Sequence, residues 1–426
     1  MNFKNKKIGI WGFGKTGQSV LHFIAPDAKH IFIYESQPLS DEQKTLAAKY
    51  NAQFVDSTLL NQFLEVCDII IPSPGVDLRS YKTFDQKFLS ELDIFSAHIT
   101  TKTIAITGSV GKTTLVTLIT TLLNRCGLKS CAAGNIGLPI LDILAIQNNY
   151  EWIVLELSSF QLEYSHVFKP TISLVTNLFP NHLDRHGTLI DYAHAKSHIF
   201  RHQINGEQVI IPQKFLEFFI DYTTQQKTIW LADDAYDQWI TPALSDITFT
   251  ENWNCIFAIF ETIGLDLTAV AQHCSDLKKP DHRLELVGTF NEVTFYNDSK
   301  ATIPEATLAS LATFKNKSII LFIGGMSKGV DRTLFIKKLP KNIKHVICFG
   351  KEAKSLHTSC QKNNLSSSAH LTFKDAWNCC LNIMTAYDIV LFSPSGTSFD
   401  LFKNYEERGN IFRQSVLTLK TESPIL

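Results

Sequence analysis

The chain lacks the long apolar runs and the one-sided charge that mark membrane-spanning and nucleic-acid-binding proteins. No apolar run approaches the roughly 18 residues of a membrane span, and Ile8–Phe13 is too short for a signal-peptide core. The 40 lysines and arginines are balanced by 41 aspartates and glutamates, so charge favours neither nucleic acid nor an anionic membrane. We therefore expect a cytoplasmic protein with no nucleic-acid partner and no membrane partner.

Paired cysteine motifs are also missing. The nine cysteines are odd in number and scattered, and none belongs to a Cys-x-x-Cys motif. This pattern favours reduced thiols inside a cell over a disulfide framework. The 426 residues exceed the size of a single core, so we expect two or three domains of roughly 100–200 residues each.

What the chain does contain, over residues 102–125, is a strand, a glycine turn and a helix in succession. The strand Thr103–Ile106 is interrupted by Gly108 and Gly111, and apolar residues then recur at helical spacing. Such a turn directs backbone N–H groups and the positive end of the helix at one point, where a phosphate binds. Lys112 adds a positive charge and Thr113 a hydroxyl for Mg²⁺. Two residues separate the glycines instead of the usual four, so the pattern alone indicates either a compact phosphate loop or a coincidence.

A second glycine turn lies near the start of the chain. The strand Lys7–Trp11 leads into Gly12-Phe-Gly14-Lys-Thr-Gly17, and the next strand, Ile31–Tyr34, is followed by Glu35. This spacing is typical of a dinucleotide-binding turn with an acidic residue near a ribose hydroxyl, or of glycines that serve only a tight turn. With a further strand at Asp68–Pro72, it predicts a small α/β unit over residues 1–93.

The central part of the chain places charged residues near predicted strand ends. The strand Trp152–Leu157 carries Glu156 close to its carboxyl end, where a carboxylate either reaches a metal-bound phosphate or caps a neighbouring helix. The predicted helix Thr188–His202 has an apolar face interrupted by Lys196. From this segment alone, we expect the lysine to extend its ammonium group to the surface.

Histidines recur at four-residue spacings, at positions 182 and 186 and again at 194, 198 and 202. Two histidines one helical turn apart can share a zinc ion. The chain has no His-Glu-x-x-His motif and no clustered cysteines, so the pattern disfavours zinc.

The last part of the chain again alternates strands and helices. Its predicted strands are Val293–Tyr296, Ser318–Ile323, His345–Phe349 and Asp388–Phe392. The loops after most of these strands combine small residues with hydroxyls or charge, a composition typical of a ligand-binding rim and of ordinary turns. We expect an α/β fold of three domains: a Rossmann-like domain over 1–93, a central P-loop mononucleotide-binding parallel sheet over 94–279, and a C-terminal Rossmann-like domain over 280–426.

Taken together, the motifs resemble the Mur ligase family, the ATP-dependent amide-forming enzymes of peptidoglycan precursor synthesis. The match runs in order through nearly the whole chain, at Thr107–Thr114, Glu156–Gln161, Asn177, His182–Arg185, Lys196, His282-Arg283 and Asn297–Thr302. The N-terminal glycine turn, Gly134–Gly137 and the stretch Ser393–Gly409 resemble the branch that adds D-glutamate. The resemblance implies an ATP-dependent ligase that joins D-glutamate to UDP-N-acetylmuramoyl-L-alanine through an acyl phosphate, acting as a monomer.

The resemblance also implies roles for single residues. The implied catalytic residues are Lys112, Glu156, His182 and Lys196. The implied ATP contacts are Gly108, Ser109, Val110, Gly111, Lys112, Thr113, Thr114, Asn254, Arg283, Asp298 and Lys300. The UDP-sugar would contact Thr16, Glu35, Ser36, Ser73, Gly75 and Asn135, and D-glutamate would contact Thr302, Lys328, Ser398, Phe399 and Tyr405. Two Mg²⁺ ions would be held by Thr113, Glu156, His182 and a carbamylated Lys196, a CO₂ adduct that turns the ammonium into a carboxylate-like ligand.

The chain departs from the family pattern at five places. Val110 stands where the family usually has Asn, and Asn181 stands where it usually has Asp. Thr250-Glu251 replaces His-Asn, Gln37 replaces Arg, and Ile303 replaces Asn.

Three other functions compete with the ligase. A nicotinamide-dependent dehydrogenase would explain the turn Gly12–Gly17 and Glu35, but it leaves the phosphate loop and Lys196 unexplained. A non-catalytic sensor of a muropeptide or nucleotide would explain Val110, but not the retained charged residues. A folylpolyglutamate synthetase also adds glutamate with a related loop, but the match over Ser393–Gly409 argues against it.

Overall fold

Three β-sheets and the helices that connect their strands make up the computed structural model, which describes residues 3–223, 226–277, 281–327 and 330–422. The described residues of 1–178 and 190–277 form one compact unit, and those of 179–189 and 278–426 form another. The first unit contains two of the sheets. The predicted domain boundaries at 93/94 and 279/280 stay predictions.

The sheets are built from short, apolar strands, as expected of parallel strands that are covered on both faces. The first sheet is parallel with the order β3-β2-β1-β4; its strands are β1 Lys7–Trp11, β2 His30–Tyr34, β3 Gln53–Val55 and β4 Ile69–Pro72. The second is parallel with the order β10-β9-β8-β5-β7-β6; its strands are β5 Lys102–Thr107, β6 Ser130–Gly134, β7 Trp152–Glu156, β8 Ile172–Val175, β9 Gln208–Pro212 and β10 Lys227–Leu231.

The third sheet lies in the second unit and has one antiparallel edge strand. Its order is β11-β12-β16-β13-β14-β15, and only β11 runs against its neighbour. Its strands are β11 Glu285–Phe290, β12 Val293–Asn297, β13 Ile319–Gly324, β14 Ile343–Phe349, β15 Ser367–His370 and β16 Ile389–Phe392.

The α-helices connect these strands. In chain order they are α1 Lys15–Ile24, α2 Asp41–Lys49, α3 Leu60–Val66, α4 Glu91–His98, α5 Lys112–Arg125, α6 Ser159–Leu162, α7 Leu183–His186, α8 Leu189–Ser197, α9 Leu216–Phe219, α10 Pro242–Ile247, α11 Thr250–Thr262, α12 Leu267–Gln272, α13 Pro304–Ala312, α14 Thr333–Lys337, α15 Ala353–Lys362, α16 Phe373–Ile383 and α17 Tyr405–Glu422.

The predicted strands are confirmed with ends that shift by one or two residues, whereas one predicted helix is too long. Helix α8 ends at Ser197, not at His202. The Ser197 hydroxyl donates to the His194 carbonyl, and the amides of Ile199 and Phe200 bond three residues back instead of four. Tight bonds of this kind end an α-helix, because they replace its four-residue ladder.

The core of the second sheet explains why α5 and α11 are helices at all. Along α11 every residue from Asn252 to Phe260 is buried, and Trp253 and Phe257 join the cluster that contains Leu118 and Leu122 of α5. A helix that is apolar nearly all round belongs in a protein interior. The burial of α5 holds the glycine turn at its start in one place.

Two expectations from composition can be compared with the structure. All nine cysteines carry free thiols. In the described ranges, no helix combines the length and the apolar character that crossing a membrane would require.

A buried carboxyl group links α4 to the segment that follows β7. Glu91, at the start of α4, accepts a hydrogen bond of 3.0 Å from the Gln161 side chain of α6. On the same helix, Asp93 accepts bonds from the Ser165 hydroxyl and from the amides of His166 and Val167. Burial raises the pKa of Glu91 to about 7, although the bond from Gln161 opposes this shift.

This pKa predicts a pH-dependent effect of Glu91→Gln. Because the carboxyl group has a higher pKa in the folded chain, the folded state loses stability as the pH rises from about 4.5, the ordinary pKa of the group, to about 7, and the loss is complete above that pH. Gln cannot ionise and keeps the acceptor for Gln161. We expect equal thermal midpoints for the variant and the wild type at about pH 4, and a midpoint for the variant that is higher by on the order of 5 °C at pH 8.5. The control is Glu42→Gln, an exposed position on α2. A pH-independent difference at Glu91 would contradict the prediction.

Candidate active site

The phosphate loop joins β5 to α5 and contains two glycines. Any other residue at these two positions would collide with neighbouring side chains. Gly108 and Gly111 have positive φ angles of 151° and 85°. A Cβ on Gly108 would lie 1.9 Å from the Thr176 hydroxyl oxygen, and one on Gly111 would lie 3.0 Å from the Asn252 amide oxygen. The short spacing between these glycines is therefore part of a tightly packed loop, while the binding of phosphate there stays a prediction.

Asn177, two residues beyond β8, holds this loop in shape. Its side-chain oxygen accepts hydrogen bonds from the amides of Ser109 and Val110 at 3.1 and 2.9 Å, and its side-chain nitrogen donates to the Val110 carbonyl at 3.0 Å. These two amides belong to residues predicted to contact ATP, yet in this structure they point at Asn177. The roles of Ser109, Val110 and Thr114 in ATP binding stay predictions.

Two lysine ammonium groups share one carbonyl oxygen of the loop. Lys112 donates to the Gly108 carbonyl at 2.8 Å, and Lys196 donates to the same oxygen at 3.0 Å. Lys196 also contacts the Thr107 hydroxyl at 3.4 Å and lies 4.2 Å above the Tyr192 ring. The loop therefore brings two lysine side chains to the point where a phosphate is expected.

Lys196 is 1% exposed, so the expectation that it reaches the surface is wrong. The loop carbonyl and the Tyr192 ring satisfy its ammonium group inside the protein. Burial lowers the pKa of Lys196 well below its usual value, and the charge of Lys112 lowers it further. Such an amine is neutral more often than an exposed lysine, which makes it a better nucleophile.

Glu156, the last residue of β7, presents a carboxylate oxygen that needs a partner. The side chain is 2% exposed, and one of its oxygens accepts a 3.0 Å bond from the Asn135 amide. The other oxygen is buried and has no hydrogen-bond partner in the described chain, as is also true of the Thr114 hydroxyl. An unpaired buried carboxylate oxygen is costly unless a cation binds it. These hard oxygen donors fit a divalent cation such as Mg²⁺.

The three strand ends that form this part of the site are neighbours. In the second sheet β5 lies between β8 and β7, and Ile106 pairs with Glu156. The Thr107 hydroxyl also donates to the Leu157 carbonyl at 2.9 Å. Within the described ranges, no group of three or more His, Cys, Asp or Glu side chains is arranged to hold a metal ion.

His182 belongs to the other unit. It precedes the short helix α7 and has a positive φ of 55°. The histidines at 194 and 198 both contact Arg201, and burial lowers the pKa of each of them. Arg201 therefore contacts the Nε2 atom of each of these two histidines.

The predicted nucleotide residues of the second unit surround Asp298, just beyond β12. Its carboxylate accepts bonds of 2.7 Å from the hydroxyls of Ser310 and Ser393, and one of 3.1 Å from the Leu284 amide. Burial raises the pKa of Asp298 above its usual value, although these bonds oppose the shift. Arg283 lies between His282 and Leu284, which both have positive φ angles.

Lys300 connects the predicted ATP and D-glutamate residues. It donates a 2.6 Å bond to the Tyr405 hydroxyl and lies 4.2 Å from the centre of the Tyr405 ring. Thr302 lies in the loop between β12 and α13, Ser398 is buried, and Phe399 is 67% exposed. The remaining predicted D-glutamate residue, Lys328, lies outside the described residues.

Two asparagines of helix α11, Asn252 and Asn254, have different surroundings. Both ends of the Asn254 amide are occupied, since its oxygen accepts from the Tyr236 amide at 3.1 Å and its nitrogen donates to the Asp233 carbonyl. Asn252, which was not predicted, lies against Gly111 of the phosphate loop. The signal for Asn252 was its place two residues earlier in the same Asn-Trp-Asn run.

The predicted UDP-sugar residues lie at the strand ends of the first unit. Glu35 accepts bonds from the amides of Phe13 at 2.8 Å and Gln37 at 3.1 Å, so it closes the glycine turn. Ser73 donates to the Gly12 carbonyl at 3.1 Å. The other four are Thr16 in the first turn of α1, Ser36, Gly75 beyond β4, and Asn135 beside Glu156.

Three family models match successive parts of the chain. They are the MurD N-terminal domain over residues 7–81, the Mur ligase middle domain over 106–255, and the Mur ligase glutamate ligase domain over 282–396. A UDP-N-acetylmuramoylalanine–D-glutamate ligase of Pseudothermotoga lettingae is 30% identical over 96% of this chain and 97% of its own length. The chain belongs to the Mur ligase family.

Other Mur ligases agree with this assignment. A UDP-N-acetylmuramoylalanine–D-glutamate ligase of Francisella philomiragia is 32% identical over 98% of this chain and 99% of its own length. The crystal structure of a MurF ligase from Thermotoga maritima in complex with ADP covers 99% of this chain and 96% of its own, with a TM-score of 0.58 at 15% identity. At that identity the likeness shows the fold. The predicted three-domain α/β fold with parallel sheets is thereby confirmed.

The hydrogen bonds of Asn177 predict that nucleotide binding depends on this side chain. Asn177→Ala removes three bonds to the phosphate loop, and we expect the Kd for ATP to rise by about tenfold or more, measured by calorimetry. Asn124→Ala is the matched control, because Asn124 at the other end of α5 also makes three bonds to backbone groups. Its loss would change the Kd by less than about twofold. Similar affinities in the two folded variants would contradict the prediction.

Proposed function

We propose that this Mur ligase joins the amine of D-glutamate to the alanyl carboxylate of UDP-N-acetylmuramoyl-L-alanine, with ATP as the energy source, in peptidoglycan precursor synthesis. Relatives named for this reaction match the chain over nearly its whole length. The observation that carries the proposal is the pair of lysines on the Gly108 carbonyl. The positive charge of Lys112 at this glycine loop is suited to the negative charge of the ATP phosphates, and the adjacent Lys196 amine is the one proposed to carry CO₂.

The chemistry explains why such a site is needed. A carboxylate is a poor acyl donor at neutral pH. Its oxygen attacks the γ-phosphorus of ATP, which breaks the bond to ADP and forms an acyl phosphate. The D-glutamate nitrogen then attacks the acyl carbon, gives up its proton, and the tetrahedral intermediate expels inorganic phosphate. The protein contributes mainly by neutralising charge and by orienting the amine.

The first unit supplies the residues for the phosphates. Lys112 and the first turn of α5 would bind the phosphates of ATP, with Asn177 and Asn252 keeping the loop in shape. Bound Mg²⁺ would neutralise phosphate charge, held by Thr113, Glu156 and a carbamylated Lys196. His182, which belongs to the other unit, is the remaining proposed ligand of the two ions. The unpartnered Glu156 oxygen supports this assignment. In the second unit, Arg283, Asp298 and Lys300 would contact ATP, while Thr302, Lys328, Ser398, Phe399 and Tyr405 would contact D-glutamate.

The environment of Lys196 supports its carbamylation. The neutral amine nitrogen attacks CO₂, loses a proton, and becomes a negatively charged carbamate. Burial and the nearby Lys112 charge lower the pKa of Lys196, so the reactive neutral form is present at a lower pH than for an exposed lysine. We also propose that the protein works as a monomer in the cytoplasm, which agrees with its nine free thiols.

A phosphate-release assay across a substrate matrix tests the reaction. We expect release only when ATP, UDP-N-acetylmuramoyl-L-alanine and D-glutamate are all present, because the acyl phosphate needs both the acceptor and the amine to turn over. A preference for L-alanine, L-lysine or diaminopimelate would contradict the D-glutamate assignment. Binding of NAD by calorimetry would favour the dehydrogenase, and a preference for a folate acceptor would favour a folylpolyglutamate synthetase. Activity that survives in Lys112→Ala would contradict the role of the phosphate loop.

Removing the Lys196 amine tests the carbamate. We expect Lys196→Ala to lose activity by roughly 100-fold or more, without rescue by bicarbonate, because no amine remains to carry CO₂. With ¹³C-labelled bicarbonate, the wild type should show a carbamate carbon signal in NMR that the variant lacks. Lys214→Ala is the control, since Lys214 of the same unit forms an ion pair with Asp233. Full activity or an unchanged carbon signal in Lys196→Ala would contradict the carbamate.

A further inference from the structure

A buried guanidinium in the second unit holds backbone carbonyls. Arg332, immediately before α14, is 5% exposed and donates to the carbonyls of two successive glycines, Gly324 at 3.0 Å and Gly325 at 2.8 Å. It also forms a 2.5 Å ion pair with Glu352, immediately before α15. A planar guanidinium suits such paired acceptors, because its N–H groups diverge in a rigid fork.

Glu352 adds a further hydrogen bond to the segment whose carbonyls Arg332 contacts. Its second oxygen accepts a 2.8 Å bond from the Ser327 amide. Burial alone would raise the pKa of Glu352, but the charge of Arg332 and the hydrogen bonds bring it below its usual value. The ion pair therefore fixes three of the four backbone positions in the segment 324–327, which we name the glycine strap.

The glycine strap packs backbone to backbone against the loop that follows β16. The Gly324 amide donates to the Pro394 carbonyl at 2.8 Å, and Met326 and Thr397 exchange amide–carbonyl bonds of 3.1 and 3.0 Å. A Cβ on Gly325 would lie 1.9 Å from the Thr397 carbonyl oxygen, so the two backbones pack too closely for a larger residue at this position. A shift of the strap would displace Thr397.

Both segments lead directly into residues predicted to contact D-glutamate. Lys328 follows Ser327 in the chain, and Ser398 follows Thr397. We propose that Arg332 and Glu352 are positioning residues that set the affinity for the amino-acid substrate by holding the glycine strap against the loop after β16. This inference rests on the proposed function. Neither side chain needs to touch the substrate.

Stability alone is a poor reason for this ion pair. Desolvating two charges offsets most of their attraction, and well-packed apolar residues often stabilise a core as much. An apolar side chain could not satisfy the Gly324 and Gly325 carbonyls, however, and those carbonyls define the path of the strap. Orientation of the strap is therefore the property that the charged pair provides.

Steady-state kinetics of Arg332→Met test the inference. We expect the KM for D-glutamate to rise by about tenfold, while the KM values for ATP and the UDP-sugar change by less than about twofold. Arg332→Lys keeps a charge for Glu352 but not the fork, so it should recover part of the lost affinity. Glu352→Gln should show the same selective rise, at smaller size. If Arg332→Met does not fold, these two milder variants decide the outcome.

Lys344→Met is the matched control. Lys344 forms a 2.6 Å ion pair with buried Asp388 near the amino ends of β14 and β16. The glycine strap and Thr397 lie at the other end of the strands, beyond their carboxyl ends. Its loss should lower the thermal midpoint without a selective change in KM. A KM for D-glutamate in the Arg332 variants equal to that of the wild type or of Lys344→Met would overturn the inference.

Hydrogen exchange provides a readout that does not depend on activity. The amides of Met326, Ser327 and Thr397 should exchange faster in Arg332→Met than in the wild type, and at unchanged rates in Lys344→Met. Unchanged exchange in Arg332→Met would overturn the inference even if the ligase reaction is confirmed. If the wild type has no D-glutamate-dependent activity, the proposed function fails, while faster exchange would still support the mechanical role of the pair.

Discussion

The carbonyl oxygen of Gly108 accepts two ammonium groups, and the rest of the candidate site depends on that arrangement. Lys112 comes from the helix that follows the loop, and Lys196 comes from α8, nearly ninety residues later. Like charges held together in a buried place repel each other, and together with burial this repulsion lowers the pKa of Lys196. Negative groups relieve that repulsion. The loop therefore holds the Lys112 charge and the buried Lys196 amine, whose pKa is lowered, at the point where the ATP phosphates are expected.

The supporting structure around this point consists of strand ends that the sheet order makes neighbours. Because β5 lies between β7 and β8, the glycine loop, Glu156 and Asn177 are neighbours at the carboxyl ends of these three parallel strands. The loop and its lysines present charge, Glu156 offers an unpaired oxygen, and Asn177 holds the backbone. In the second unit, buried charged groups such as Arg332 are again used to hold backbone carbonyls. Both units therefore use polar side chains to fix the shape of loops.

Sequence patterns predicted several strands in each of the three sheets, the glycine turn before α5 and the carboxylate at the end of β7, but they missed strands β3, β6, β9, β10, β11 and β15. They succeeded because parallel buried strands and glycine turns depend on short stretches of neighbouring residues. They failed at Lys196, whose spacing on an apolar helix face predicted a surface position. Its actual partners, the Gly108 carbonyl and the Tyr192 ring, come from a distant loop and from the same helix. The family resemblance corrected this error where periodicity could not.

The sequence by itself determined the α/β class, the family and the residue types available for chemistry, because these follow from local hydrophobic pattern and from motifs in order. Only the tertiary structure decided which polar groups are bonded to distant parts of the chain. Asn254 proved to be engaged with Tyr236 and Asp233, whereas Asn252 lies on the phosphate loop. Asn177 and Arg332 are both hydrogen-bonded to the backbone of loops. The physical reason is that a hydrogen bond requires two groups at about 3 Å, and residues far apart in the chain reach that distance only when the sheets assemble.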